Sequence, residues 1–108
     1  MGSKANIYID QGTDFRLSLE LFDEDNDEMV LSTITFHADM RKLYSSKKAV
    51  DFDIETANND VTLVLSSDTT ATLNPGKYQY DVLMKKATGE TSKLLEGLAT
   101  VVPTITEV

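Results

Sequence analysis

Six consecutive residues, Asp23-Glu24-Asp25-Asn26-Asp27-Glu28, carry the densest charge in the chain. Carboxylates at alternating positions are the oxygen ligands a calcium ion takes, and Asp23, Asp25 and Asp27 have the spacing that begins a calcium loop. The rest of that pattern departs: Glu28 stands where the sharp-turn glycine belongs, Ile34 stands at the bidentate acid position, and the flanks alternate like strands rather than helices. The run therefore reads as a solvated acidic turn, with Asp23, Asp25 and Asp27 as its candidate metal ligands. His37, the only histidine, has Asp39 two positions on, a spacing that a surface pair on one strand face satisfies. Acyl transfer needs a nucleophile, a base and an orienting acid, and none of the serines lies in a nucleophile-elbow sequence. Asp51 and Asp53 share a strand face and read as solvent-facing rather than as a glycosidase pair. The 5 glycines are scattered, so no phosphate-cradling loop is spelled out. With 0 cysteines there is no thiolate for zinc, redox or nucleophilic chemistry. The expectation is a non-enzymatic chain without a cofactor.

A second group of charges is cationic. Arg41, Lys42, Lys47 and Lys48 cluster after one strand-like run, whereas the acidic turn precedes it. A strand of about nine residues is ~30 Å long, which sets the two clusters at opposite poles of the fold. Glu24 and Glu28 at one pole, and Arg41, Lys42, Lys47 and Lys48 at the other, are accordingly the candidate interaction residues. Such bipolarity favours head-to-tail contact between copies or with a neighbour of complementary charge.

Eighteen acidic against 10 basic side chains give a net charge of −8. Affinity for a phosphate backbone comes largely from counterions displaced by Lys and Arg, so this balance argues against nucleic acid as the main partner. No apolar run approaches the ~18 residues of a membrane helix, and Met1–Ala5 is too short and polar to open a signal peptide. Assembly in a reducing cytoplasm, with no membrane partner, is the expectation.

The elements that would hold these residues follow from period-two alternation, which puts every second side chain on one face of a strand. Ile7 and Ile9 begin the series. Phe15, Leu17, Leu19 and Leu21 alternate with Asp14, Arg16, Ser18 and Glu20; Ile34, Phe36, Ala38 and Met40 alternate with Thr35, His37, Asp39 and Arg41. Val50-Phe52-Ile54, Val61-Leu63-Leu65, Tyr78-Tyr80-Val82-Met84 and Leu95-Gly97-Ala99-Val101 supply further apolar faces. Turn formers fall between them, at Gly12-Thr13, Asn58-Asn59-Asp60, Asn74-Pro75-Gly76 and a hairpin tip at Thr88-Gly89-Glu90. Ser67 to Leu73, with a capping residue at its head and a breaker behind, reads as one or two helical turns crossing between sheets.

About seven short strands, each with one apolar face, predict an all-β, immunoglobulin-like sandwich of two antiparallel sheets with one short helical crossover. Residues 1–103 form its single domain and 104–108 a mobile tail. The core is expected to rest on Phe15, Phe36, Phe52, Tyr78 and Tyr80 with the aliphatics. Val64, Leu83 and Leu98 fall on nominally outward positions and are expected to pack beneath the crossover or a loop.

Several of these segments resemble a family of small β-sandwich proteins of tailed bacteriophages, especially myoviruses of cyanobacteria. The opening Asn6-Ile7-Tyr8-Ile9-Asp10-Gln11-Gly12-Thr13-Asp14-Phe15 is similar to that family's first motif, and Met40-Arg41-Lys42-Leu43-Tyr44-Ser45-Ser46 to its central segment. Pro75-Gly76-Lys77-Tyr78-Gln79-Tyr80-Asp81-Val82 and Leu95-Glu96-Gly97-Leu98-Ala99-Thr100-Val101-Val102-Pro103 resemble its closing strands. The resemblance implies a virion structural protein of the capsid, neck, tail, fibre or baseplate, assembled in the host cytoplasm against other virion proteins and copies of itself. A calcium-dependent or carbohydrate-binding adhesion module, using the turn at 23–28, is the alternative.

Overall fold

The computed structural model describes residues 3–22, 25, 27, 31–44 and 47–106. Nearly every alternating run becomes a strand, in the order β1 (Ser3–Lys4), β2 (Ile7–Asp10), β3 (Phe15–Glu20), β4 (Thr35–Lys42), β5 (Lys48–Asp51), β6 (Asp53–Ala57), β7 (Asp60–Leu65), helix α1 (Ser67–Ala71), β8 (Gly76–Lys85) and β9 (Thr91–Val102). One sheet runs β1-β9-β8-β4-β5, with β2 also on β9; the other is β3-β7-β6.

Two features depart from a simple seven-stranded antiparallel reading. The first is that β1 and β2 run parallel to β9, Ser3 opposite Leu95 and Ile7 opposite Ala99, while the other pairings are antiparallel. The second is that the run around Phe52 is not one strand. The chain changes sheets there: β5 pairs with β4, β6 pairs with β7, and the Phe52 amide donates to the Ala38 carbonyl at 2.9 Å as it crosses. Asp51 and Asp53 consequently stand on different sheets rather than on one face.

Turn chemistry sets the connections. Asn58 takes φ +56° in the two-residue link between β6 and β7, a left-handed conformation that Asn tolerates better than most residues. Asn59 follows it as a buried polar residue; its side-chain amide donates to the Leu21 carbonyl at 3.1 Å while the Leu21 amide donates to the Asn59 carbonyl at 2.9 Å. In α1 the cap is Ser66, one residue before the expected position, accepting from the Thr69 amide at 3.3 Å. The helix covers less than the whole stretch from Ser67 to Leu73, but it docks firmly. The fully buried Thr70 donates its hydroxyl to the Thr13 carbonyl at 2.7 Å, and Asp14 accepts from the Ser67 amide at 2.8 Å.

Between the sheets, Ile9, Met40, Val61, Leu63, Leu65, Val82 and Val101 are essentially inaccessible to solvent, each contributing about 1.5–3 kcal/mol by burial. Phe52 joins the layers, with its ring 6.1 Å from that of Phe15 and 6.3 Å, edge-on, from that of Tyr80. Phe36, Phe52, Tyr78 and Tyr80 are buried as expected, whereas Phe15 is only partly so, because its strand lies at the sheet's edge. Leu21, Leu31, Phe36, Val61 and Met84 form a second cluster at the end where β4 begins.

Candidate interaction surface

Cross-strand register brings together four carboxylates that are far apart in sequence. Asp51 lies opposite Asp39, Asp39 opposite Asp81, and Asp81 opposite Glu96, so one rung of acid crosses β5, β4, β8 and β9 on the outer face of the larger sheet. Lys4 on β1 ends the rung beside Glu96. Like charges directly opposite each other repel, and cations from adjacent rungs offset this. Lys48 Nζ lies 3.0 Å from Asp51, Arg41 Nε 3.8 Å from Asp39, and Lys93 Nζ 3.8 Å from Asp81 and 3.7 Å from Glu96. Two of the cations read as interaction residues, Arg41 and Lys48, are thus engaged within the domain. Lys42, Lys47 and Lys48 are exposed and Arg41 is half-buried.

In sequence, Asp25 and Asp27 precede β4, an 8-residue strand about 27 Å long, and the cationic turn follows it. The contrast between the ends is diluted by Lys85, opposite Thr35 where β4 begins. Asp25 and Asp27 are exposed; Asp23, Glu24 and Glu28 lie outside the described residues. Among the described residues, no group of three His, Asp or Glu side chains is gathered tightly enough to hold a metal.

His37 is exposed on the outer face as expected, but its register neighbour is Leu83 and Asp39 turns instead toward Arg41. Val64, Leu83 and Leu98 are half-buried on outward faces. Their cross-strand neighbours, Arg16 and Asp53 for Val64, His37 and Lys93 for Leu83, Gln79 for Leu98, are polar or charged, and long side chains of this kind shield apolar surface with their stems.

The N-terminal edge is fastened at one point. Ala5 donates its amide to the Glu96 carbonyl at 2.9 Å and accepts the Tyr80 hydroxyl at 2.6 Å, while Asn6 accepts the Leu98 amide at 3.2 Å. A Cβ on Gly97 would collide with the Ala5 carbonyl oxygen, so glycine is what lets the two backbones approach. Burial pushes the Tyr80 phenol above its ordinary pKa.

Four strand edges have no partner among the described residues: β1 with β2, β5, β3 and β6. Neither the carboxylate rung nor the distinction among these edges is apparent from alternation alone, which gives the face of each residue but not what stands opposite it.

Taken together, sheet order, the helix between β7 and β8, and the Tyr78 hydroxyl returning to the Asn74 carbonyl at 2.7 Å define the class as an immunoglobulin-like β-sandwich, the last being the tyrosine corner of such domains. No protein-family model and no curated protein matches the chain.

Proposed function

We propose that this domain is a non-enzymatic structural component of a tailed-bacteriophage particle, assembled in the host cytoplasm, that works by packing against neighbouring virion proteins or copies of itself. The observation that carries the reading is the set of strand edges on both sheets left without a partner among the described residues. An edge strand offers a row of backbone donors and acceptors that a second strand can complete. The similarity of the opening, central and closing segments to cyanophage sandwich proteins supports the viral setting. The charged outer face, with its acid rung and bridging cations, supports recognition of a polar protein surface.

Mass analysis of gradient-purified particles tests the reading directly. The chain is expected in intact particles at a fixed ratio to the other structural proteins, and its absence from every particle fraction defeats the proposal. Calcium titration followed by thermal melting separates it from an adhesion module. Saturation at about 100 times Kd would add ~2.7 kcal/mol of stability, whereas the structural reading predicts an unchanged Tm.

A further inference from the structure

The four open edges are not equivalent. β5 has 4 residues and an irregular register, since Met40 faces Val50 but Arg41 faces Lys48, leaving Ala49 as an extra residue. The edge formed by β1 and β2 is interrupted at Ala5 and Asn6. β6 carries Asp53 and Glu55 and only one partly buried apolar residue, Ile54. Interruptions, bulges and charges are the devices by which natural sheets discourage edge-to-edge pairing.

β3 is neither interrupted nor bulged, and its two outward charges, Arg16 and Glu20, are of opposite sign. Its 6 residues pair with β7 in unbroken register, and its inward side chains Phe15, Leu17 and Leu19 are only partly buried. Val61, Leu63 and Leu65, opposite them on β7, are 0–2% exposed. Among the described residues, no strand covers the core along β3.

The outward residues of β3 identify what would close it. Arg16, whose guanidinium also pairs with Glu55 at 2.6 Å within one chain, and Glu20 lie symmetrically about Ser18. If two copies of β3 meet antiparallel, about a two-fold axis perpendicular to the sheet at Ser18, Arg16 of each copy stands opposite Glu20 of the other. Leu17 then faces Leu19, and Phe15 faces Leu21. Charges pair on the outer face and apolar residues meet on the inner face, which is the self-complementarity that a two-fold interface requires. We propose that the domain forms a homodimer through β3, joining two three-stranded sheets into one continuous sheet centred on Ser18. This deepens the reading of a domain that works through protein contacts, by naming the edge, the register and a second copy of this chain as the occupant.

Glu20→Lys is the discriminating substitution. It replaces both Arg16–Glu20 contacts with repulsion, yet within one chain it removes the like-charge pairing of Glu20 with Asp60, so the monomer keeps or gains stability. Sedimentation equilibrium from about 10 µM to about 1 mM is expected to show twice the 12.0 kDa chain mass for the parent. Glu20→Lys weakens association about tenfold or more, and mixing Glu20→Lys with Arg16→Glu restores it as a heterodimer. In a chain with 0 cysteines, Ser18→Cys is expected to oxidise to a disulfide-linked dimer, and Thr56→Cys on β6 is not. A parent that stays monomeric throughout overturns the inference, as does a dimer that Glu20→Lys leaves intact. Either result leaves particle incorporation to be decided on its own, and absence from particles would equally leave the dimer standing.

Discussion

The Tyr80 hydroxyl donates a 2.6 Å hydrogen bond to the carbonyl of Ala5, 75 residues away in sequence. This bond, with Gly97 beneath the same carbonyl, fixes where the N-terminal strand leaves the sheet edge. Tyr80→Phe keeps the ring in the core and removes only the donor, at a cost of about 1 kcal/mol. Gly97→Ala drives a methyl into the Ala5 carbonyl and displaces the first strand, at about 1–3 kcal/mol. Since both changes act on one oxygen, the double variant is expected to lose less than the sum of the two. Urea unfolding gives the energies, and amide exchange is expected to speed up at residues 3–5 before it does at Ile7 and Ile9.

The same phenol makes a prediction for pH. Burial raises its folded-state pKa above the ordinary value of 10.0, so the unfolded chain releases this proton first as the solution becomes alkaline. The stabilisation held by the protonated form is complete below pH about 10 and is lost as pH rises through the folded-state value. Melting of the parent is expected to fall more steeply in this alkaline window than melting of Tyr80→Phe. Equal slopes would show that Tyr80 does not govern the alkaline loss.

Asp81 stands between Asp39 and Glu96 in the acid rung, with Lys93 at 3.8 Å as its ion-pair partner. Two like-charged neighbours against one long, exposed ion pair leave a net repulsion, because surface pairs of this kind contribute little. Asp81→Asn is therefore expected to stabilise the domain by roughly 0.2–1 kcal/mol at low salt, with the gain shrinking as salt screens the rung. Lys93→Gln is expected to act in the opposite direction, because Lys93 also serves Glu96 at 3.7 Å. Thermal melts of both variants at low and high ionic strength provide the check.

The fold was legible because the inward residues of β3, β4, β7 and β8 alternate without interruption and turn formers mark their ends. What alternation could not reveal is pairing. The change of sheets at Phe52 preserves the alternation of Val50, Phe52 and Ile54, so a break in hydrogen bonding leaves no trace in the pattern. The parallel placement of β2 beside β9 joins residues more than ninety positions apart, which no local signal encodes. The acid rung is a case of the same kind: Asp39, Asp51, Asp81 and Glu96 read individually as outward residues, and only register makes them neighbours. Arg16, Ser18 and Glu20 differ in this respect, since their symmetry is written in the sequence, but its meaning depends on β3 being an edge.

Tyr78 and Tyr80 sit two residues apart on one inward face of β8, 3% and 4% exposed, yet their hydroxyls serve different parts of the chain. Tyr78 donates to Asn74 across the turn that follows α1, and Tyr80 holds the N-terminal edge. Tyr78→Phe is expected to cost about 1 kcal/mol by loosening the Asn74-Pro75-Gly76 turn, without affecting exchange at residues 3–5. With no shared partner, the energies of Tyr78→Phe and Tyr80→Phe should add to within about 0.5 kcal/mol. A larger coupling, measured by a double-mutant cycle in urea, would mean that the turn after α1 and the N-terminal strand behave as one unit, and the two hydroxyls would then have to be treated as a single fastening of the sheet.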